Sequence, residues 1–216
     1  MADRRALITG GAGGLGSAVG QVLEQAGYQV VAPGRSELDV SQADQVTHWF
    51  GRSSRFDLLI LNAGVSINQR LHQLQATDWD RTMAVNLSGA FRCCQAWFRQ
   101  REGEMNGAHA ILVSSQAGLK GAIGQSAYAA SKAGLIGLAR SLAVDWGQSG
   151  GRANVILPGF METSMTASLS ELARERIRAE HHLPRMSRPE EVGDFIVTLD
   201  RMPAVSGQIF NLDSRW

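Results

Sequence analysis

The chain has 216 residues, 44% of them hydrophobic, and 21 basic against 20 acidic side chains leave a net charge of +1. That length and apolar share can enclose a substantial core as one domain over residues 1–216, with no need of disulfide or metal staples. Balanced charge argues against a nucleic-acid or membrane-surface partner, and the first apolar stretch is too short for a signal peptide or a membrane span.

The first predicted strand, 5–9, runs into Thr9-Gly10-Gly11-Ala12-Gly13-Gly14-Leu15-Gly16, after which Leu15, Ala18, Val19, Val22 and Leu23 recur at helical spacing. Glycines therefore fill a strand-to-helix turn. Gly10, Gly14 and Gly16 make G-x-x-x-G-x-G, a spacing that lets the backbone turn tightly, approach a pyrophosphate and offer it helix N-terminal amides. A second strand, 29–32, exits through Pro33-Gly34-Arg35-Ser36. No carboxylate precedes Glu37 there, and Arg35 presents a fork suited to a 2′-phosphate, which favours NADP(H) and leaves NAD(H) as the alternative. A short third strand is expected at 37–39.

The fourth strand, 57–61, leads into Asn62-Ala63-Gly64. Met83, Leu87, Ala90, Phe91, Cys94 and Phe98 then mark a long helix that carries Asn86. Trp97 lies off that stripe and is expected at a subunit contact, whereas Trp79 suits core or contact equally. Cys93 and Cys94 are adjacent, which fits neither a structural disulfide nor metal-ligand spacing, so a reduced, cytoplasmic chain is expected. The strand 108–114 delivers Ser115, and thirteen residues on comes Tyr128-Ala-Ala-Ser-Lys132. A helix sets that phenol and ammonium on one face, where a fixed positive charge would lower the tyrosine pKa towards neutrality; a solvated surface pair is the plainer alternative. The helix continues to Val144 through Leu135, Leu138, Ala139 and Leu142. A strand at 152–157 is followed by Pro158-Gly159 and Thr163, then by helices over 171–179 and 189–199 and a last strand, 208–212. His181-His182 has no third ligand at metal spacing and reads as loop, so no metal is expected.

Together these segments resemble the short-chain dehydrogenase/reductase family over nearly the whole chain: the glycine turn, Asn62-Ala63-Gly64, Asn86, Ser115, Tyr128 with Lys132, and Pro158-Gly159 with Thr163 come in family order. The resemblance and the alternation of strands with helices imply an α/β Rossmann-type fold, a doubly wound parallel sheet of seven strands with helices on both faces. Relative to the family, a helix after the second strand is missing.

The resemblance implies an oxidoreductase that moves hydride between nicotinamide and a carbonyl or secondary alcohol. Tyr128 would donate the proton, Lys132 would tune it and hold the nicotinamide ribose, Ser115 would hold the substrate oxygen, and Asn86 would hold a water leading to the lysine. Gly10, Gly14, Leu15, Gly16, Arg35, Asp39, Val40, Asn62, Ala63, Gly64, Tyr128, Lys132, Pro158, Gly159 and Thr163 would bind the dinucleotide. Pro158-Gly159-Phe160-Met161-Glu162-Thr163 and the run from Leu183 to Val192 are similar to 3-oxoacyl-thioester reductases, with Met161, Met165, Leu169 and Leu172 expected to cover an acyl chain and acyl carrier protein a candidate partner. Another ketone, sugar or steroid is the alternative substrate, and a non-catalytic dinucleotide-binding module the alternative class. The chain departs from those reductases at Ser149, where a basic residue is usual, and at Asn211-Leu212-Asp213-Ser214-Arg215-Trp216, which lacks their terminal glycine pair. Family members pair through the two long helices, so a homotetramer is expected, with a homodimer second.

Overall fold

Strands covered on both faces need apolar side chains at every position, and the sequence supplies them in Leu58-Leu59-Ile60-Leu61 and Ala110-Ile111-Leu112-Val113, all buried. The computed structural model describes residues 4–161, 171–183 and 185–215. Its strands are β1 (Arg5–Ile8), β2 (Gln29–Val31), β3 (Leu58–Leu61), β4 (His109–Val113), β5 (Arg152–Leu157) and β6 (Ile209–Asn211), paired in parallel in the order β2-β1-β3-β4-β5-β6. The helices are α1 (Gly14–Gln25), α2 (Ala43–Arg52), α3 (Ala76–Met83), α4 (Gly89–Gln100), α5 (Ala117–Lys120), α6 (Ser126–Gly147), α7 (Glu171–Ala179) and α8 (Pro189–Asp200).

Alternation along the strands splits the core in two. Leu7, Leu59, Leu61, Leu112 and Val155 point to one face, where they pack with Cys94 and Trp97 of α4 and Leu135 of α6. Ala6, Ile8, Leu58, Ile60, Ile111 and Ile156 point to the other, against Val19 and Leu23 of α1 and Val192 and Ile196 of α8. Close packing of α1 on α8 depends on Gly193, where an added Cβ would lie 2.8 Å from Val22. No helix among the described residues is long and apolar enough to cross a membrane.

The sheet has six strands among the described residues, not seven. Residues 37–39 turn instead of extending, because Glu37 folds back to accept from the Gly34 amide at 3.0 Å and Asp39 accepts from the Ser41 amide at 3.0 Å. The expected stripe on α4 is also rotated. Phe91 and Phe98 face outward in the single chain, whereas Ala90, Cys93, Cys94 and Trp97 point inward at i, i+3, i+4 and i+7. Trp97 is therefore core and not an exposed contact; its indole donates to the Phe56 carbonyl at 3.1 Å, which relieves the cost of burying its N–H.

At the amino-terminal edge of the sheet, Asp200 from the end of α8 gathers a buried polar network. Its carboxylate accepts from Tyr28 Oη at 2.7 Å, His109 Nδ1 at 3.0 Å, Arg152 at 3.3 Å and Arg4 Nη2 at 3.2 Å, and the Arg4 Nε lies 3.0 Å from it as an ion pair. Asn154 fixes the tautomer: its Oδ1 accepts from the Gln208 amide, so its Nδ2 donates to His109 Nε2 at 3.0 Å and leaves the imidazole proton on Nδ1. Burial pulls the His109 pKa below its ordinary value even though Asp200 opposes the shift. The unfolded chain therefore binds more protons than the fold as pH falls through about 6.5. The melting temperature should drop over that range, and the slope should flatten in His109→Asn. Asp200→Ala, which strands two guanidinium groups, should cost about 3–5 kcal/mol in chemical denaturation.

Candidate active site

Parallel strands all end on one edge, so the loops after β1, β3, β4 and β5 converge there, and these loops carry most of the sequence-nominated residues. After β1, Gly10 adopts φ +66°, and a Cβ on it would lie 2.9 Å from Ala63 Cα. Gly16 is as constrained, since a Cβ there would lie 2.6 Å from the Gly10 carbonyl oxygen. Asn62 locks the two loops together by donating through Nδ2 to the carbonyls of Thr9 and Gly10 at 3.1 and 3.2 Å, while the Thr9 hydroxyl accepts from the amides of Asn62 and Ala63. The nominated Asn62 and Ala63 thus shape the glycine turn itself.

The turn at 33–41 places Arg35 on the surface, with its Nε 3.0 Å from Asp39 Oδ2. Asp39 is further held by Ser41, whose hydroxyl donates to it at 2.6 Å. Although partial burial acts against the carboxylate, the bonds from Ser41 and Arg35 hold the Asp39 pKa below its ordinary value. Val40 turns its side chain into the core against Gly89, so only its backbone faces the turn.

Ser115 leaves β4 and its Oγ accepts from the Ala117 amide at 3.2 Å. Lys132, on α6, is 4% exposed; its Nζ donates to the Val113 carbonyl at 2.7 Å and sits 5.6 Å from the centre of the Tyr128 ring. Burial alone draws the Lys132 pKa down to about 8. Tyr128 departs from expectation: burial raises its pKa, and a hydrogen bond with Ser115 opposes the shift only in part. The ammonium is directed at a backbone carbonyl and not at the phenol.

Asn86 lies in a π-helical turn, Ala84–Ser88, between α3 and α4. Its amide pairs with both backbone groups of Val65, accepting from the nitrogen at 2.8 Å and donating to the oxygen at 3.0 Å, and it also donates to Ser131 Oγ at 3.0 Å. Both amide protons are thereby used. Gly64 lies beside this group: a Cβ on it would be 3.4 Å from Asn86 Oδ1 and 3.6 Å from Lys132 Nζ. Pro158 is buried and Gly159 has φ +84°. Thr163, like Met165 and Leu169, lies outside the described residues.

A family model described as Enoyl-(Acyl carrier protein) reductase matches residues 12–214. The 3-oxoacyl-[acyl-carrier-protein] reductase of Thermotoga maritima is 34% identical over 96% of this chain and 95% of its own length. The chain belongs to the short-chain dehydrogenase/reductase family. Cis-4-hydroxycyclohexanecarboxylate dehydrogenase of Sinomonas cyclohexanicum is 32% identical over 99% of the chain and 96% of its own. Among solved structures, the crystal structure of gox2181 superposes with a TM-score of 0.91 at 28% identity, covering 99% of this chain and 95% of that one. As a short-chain dehydrogenase/reductase, the chain is an oxidoreductase of a family that uses nicotinamide dinucleotides.

The glycine turn fits such a cofactor. Gly13 caps α1 with no side-chain hydrogen bond and the first helical turn holds no carboxylate, so its amides remain available to an anion. Sequence reasoning left out Gly11, where a Cβ would lie 2.3 Å from the Ala32 carbonyl oxygen; the signal was the glycine pair it forms with Gly10 at the end of β1. It also left out Ser131, inside the Tyr128–Lys132 motif, and Val113, whose contribution is a backbone carbonyl that no side-chain pattern announces. Gly11→Ala should force the β1 and β2 exits apart and weaken dinucleotide binding by about tenfold or more in a fluorescence titration, with the sheet still folded by circular dichroism.

Proposed function

We propose that this oxidoreductase reduces the ketone of a 3-oxoacyl thioester to a 3-hydroxyacyl thioester with NADPH. The observation that carries a reductase chemistry is the meeting of Ser115, Tyr128 and buried Lys132 where β4 ends beside the glycine turn. A bound nicotinamide would supply the hydride to the carbonyl carbon. Tyr128, a protonated phenol at neutral pH whose pKa burial raises further, gives its proton to the oxygen as charge grows there. Ser115 steadies the same oxygen with a hydrogen bond that strengthens as the reaction proceeds. Lys132 replenishes the proton path and holds the ribose; a water leading to it would be held by oxygen acceptors of Asn86, the spare lone pair of Oδ1 or the backbone carbonyl. Gly10, Gly14, Leu15, Gly16, Asn62, Ala63, Gly64, Pro158 and Gly159 would seat the dinucleotide.

Support for an apolar acyl substrate comes from the relatives' activities and from exposed Leu71, on the loop after β3, and Leu119 of α5 and Ile123, on the connection between Ser115 and Tyr128. These loops are joined by the Gln69 amide donating to the Gly124 carbonyl at 2.8 Å and by Gln125 donating to Asn68 at 3.0 Å. Met161 does not serve this purpose, being buried in the core beneath the β5 exit. Acyl carrier protein is the proposed natural thioester carrier, and the outward Phe91 and Phe98 of α4 suit a subunit contact in a homotetramer.

Acetoacetyl-CoA and a longer 3-oxoacyl thioester should be turned over with higher kcat/KM than the matching free ketones, sugars or steroids; equal rates would remove the acyl assignment. Tyr128→Phe should lower turnover by about 10²-fold or more while cofactor still binds. In the active enzyme, the reduction rate should decline as pH rises through about 8, where the Lys132 ammonium is lost.

For the cofactor, Asp39 engages only the Nε of Arg35, which suits the terminal nitrogens to a 2′-phosphate. A second reading, NAD(H), is favoured by the Glu37 carboxylate drawn onto Gly34, close to Ala12 of the glycine turn. NADPH should be preferred over NADH by about one charge-assisted contact, ~1.5–3 kcal/mol in kcat/KM, and Arg35→Asp should reverse the order. Preference for NADH in the unmutated enzyme would overturn the NADPH assignment.

A further inference from the structure

The last residues form a polar knot against the site. Asn211 closes β6 in register with Leu157, and the Leu212 amide donates to the Leu157 carbonyl at 2.9 Å, carrying the chain past the end of β5. Asn211 Oδ1 accepts from Gln116 Nε2 at 2.6 Å and from the Asp213 amide at 3.0 Å. Gln116 is the residue after Ser115. Asp213, its side chain fully buried, accepts from the Arg215 amide at 2.9 Å and from the Arg215 guanidinium, Nε at 3.0 Å and a terminal nitrogen at 2.6 Å. The same guanidinium lies 5.8 Å from the centre of the Phe160 ring. Asp213 also presses on the turn after β5: a Cβ at Gly159 would lie 2.9 Å from Asp213 Cβ. From the far side, His181 Nε2 stands 3.6 Å from Asp213 Oδ1, with its Nδ1 placed 2.8 Å from the Ile177 carbonyl.

We propose that residues 211–215 are a positioning clasp, in which Asn211 fixes the Ser115-Gln116 wall of the site and the Asp213–Arg215 pair fixes the 158–160 wall, so that the two move as one body. The inference rests on the proposed roles of Ser115 and Tyr128 in carbonyl reduction. In this proposal each clasp residue acts through the backbone it holds. A buried carboxylate bridged in two places by one guanidinium is a rigid link, because breaking either bond leaves the charge without compensation. Catalysis by positioned groups is sensitive to displacements of about 1 Å, so loosening either wall should cost turnover more than binding.

The test compares Asn211→Ala, Arg215→Ala and the double variant by steady-state kinetics and amide hydrogen exchange. We expect kcat to fall about tenfold in each single variant with KM for the carbonyl changed less than about twofold, and the double variant to be no worse than the weaker single by more than about twofold. Exchange should cross the clasp: amides at 116–120 speed up in Arg215→Ala and those at 159–161 speed up in Asn211→Ala, while β1 and β3 stay protected. If Arg215→Ala does not fold, Arg215→Lys, which cannot bridge the carboxylate twice, should give the same pattern at smaller amplitude. Losses that multiply in the double variant, or faster exchange confined to the substituted wall, would overturn the clasp. Crossed exchange in a protein that reduces no carbonyl would uphold the clasp and remove only the catalytic reading.

Discussion

An ammonium buried at 4% exposure is the constraint around which the rest of this site is arranged. Desolvation disfavours the charge on Lys132 and lowers its pKa to about 8, and the Val113 carbonyl, accepting from Nζ at 2.7 Å, offsets part of that cost. That bond needs α6 to cross the end of β4 at close range. Ser114 Oγ, just past β4, donates to the Lys132 carbonyl at 2.8 Å, and glycines let the other neighbours of α6 pack as closely: a Cβ at Gly118 would lie 2.8 Å from the Lys132 carbonyl carbon, and one at Gly134 would lie 2.6 Å from Leu87. The same packing partly buries the tyrosine one turn earlier, and desolvation moves both pKa values away from charge.

Backbone groups do much of the work that a list of side chains would assign elsewhere. Asn62 holds two carbonyls of the glycine turn, and Asn86 holds both backbone groups of Val65. Two asparagines on separate elements thus fix the loops after β1 and β3 without facing a ligand through their amide protons. The π-helical turn at Ala84–Ser88 makes this feasible by breaking the regular helix where Asn86 must point inward. These loops owe their shape to buried amide bonds in a low-dielectric setting, where each unsatisfied partner would be costly.

The two edges of the sheet use polar burial for different ends. At the amino-terminal edge, Asp200 joins Arg4, Tyr28, His109 and Arg152 into one network that ties the starts of β1, β4 and β5 to the end of α8. At the carboxyl-terminal edge, the carboxylate of Asp213 and the ammonium of Lys132 hold loops against strand ends. In both, burial opposes the carboxylate's charge, and bonds from His109 and Arg4 in one case and from Arg215 in the other keep the pKa below its ordinary value.

The order of strands and helices was legible because hydrophobic runs and glycine turns are local signals, and Ser115, Tyr128 and Lys132 stood out because their spacing is local as well. The helical stripe misled at α4, where Phe91 and Phe98 share a period with Met83 and Leu87 but Cys93 and Trp97 are the residues that meet the sheet. Periodicity fixes a helix without fixing which of two neighbouring faces turns inward; the packing partner decides that. The turn at 37–39 was misread as strand because the Glu37 and Asp39 capping bonds depend on a chain reversal. The tail contacts of Asp213 with Gly159 and of Asn211 with Gln116 left no trace in the sequence, since residues about fifty and a hundred positions apart meet only once the parallel sheet has set its strand order. Sequence by itself determined the fold class and which chemistry the chain can carry. Tertiary structure decided the charge state of that chemistry, because desolvation and the direction of the Lys132 bond exist only after α6 has closed on β4.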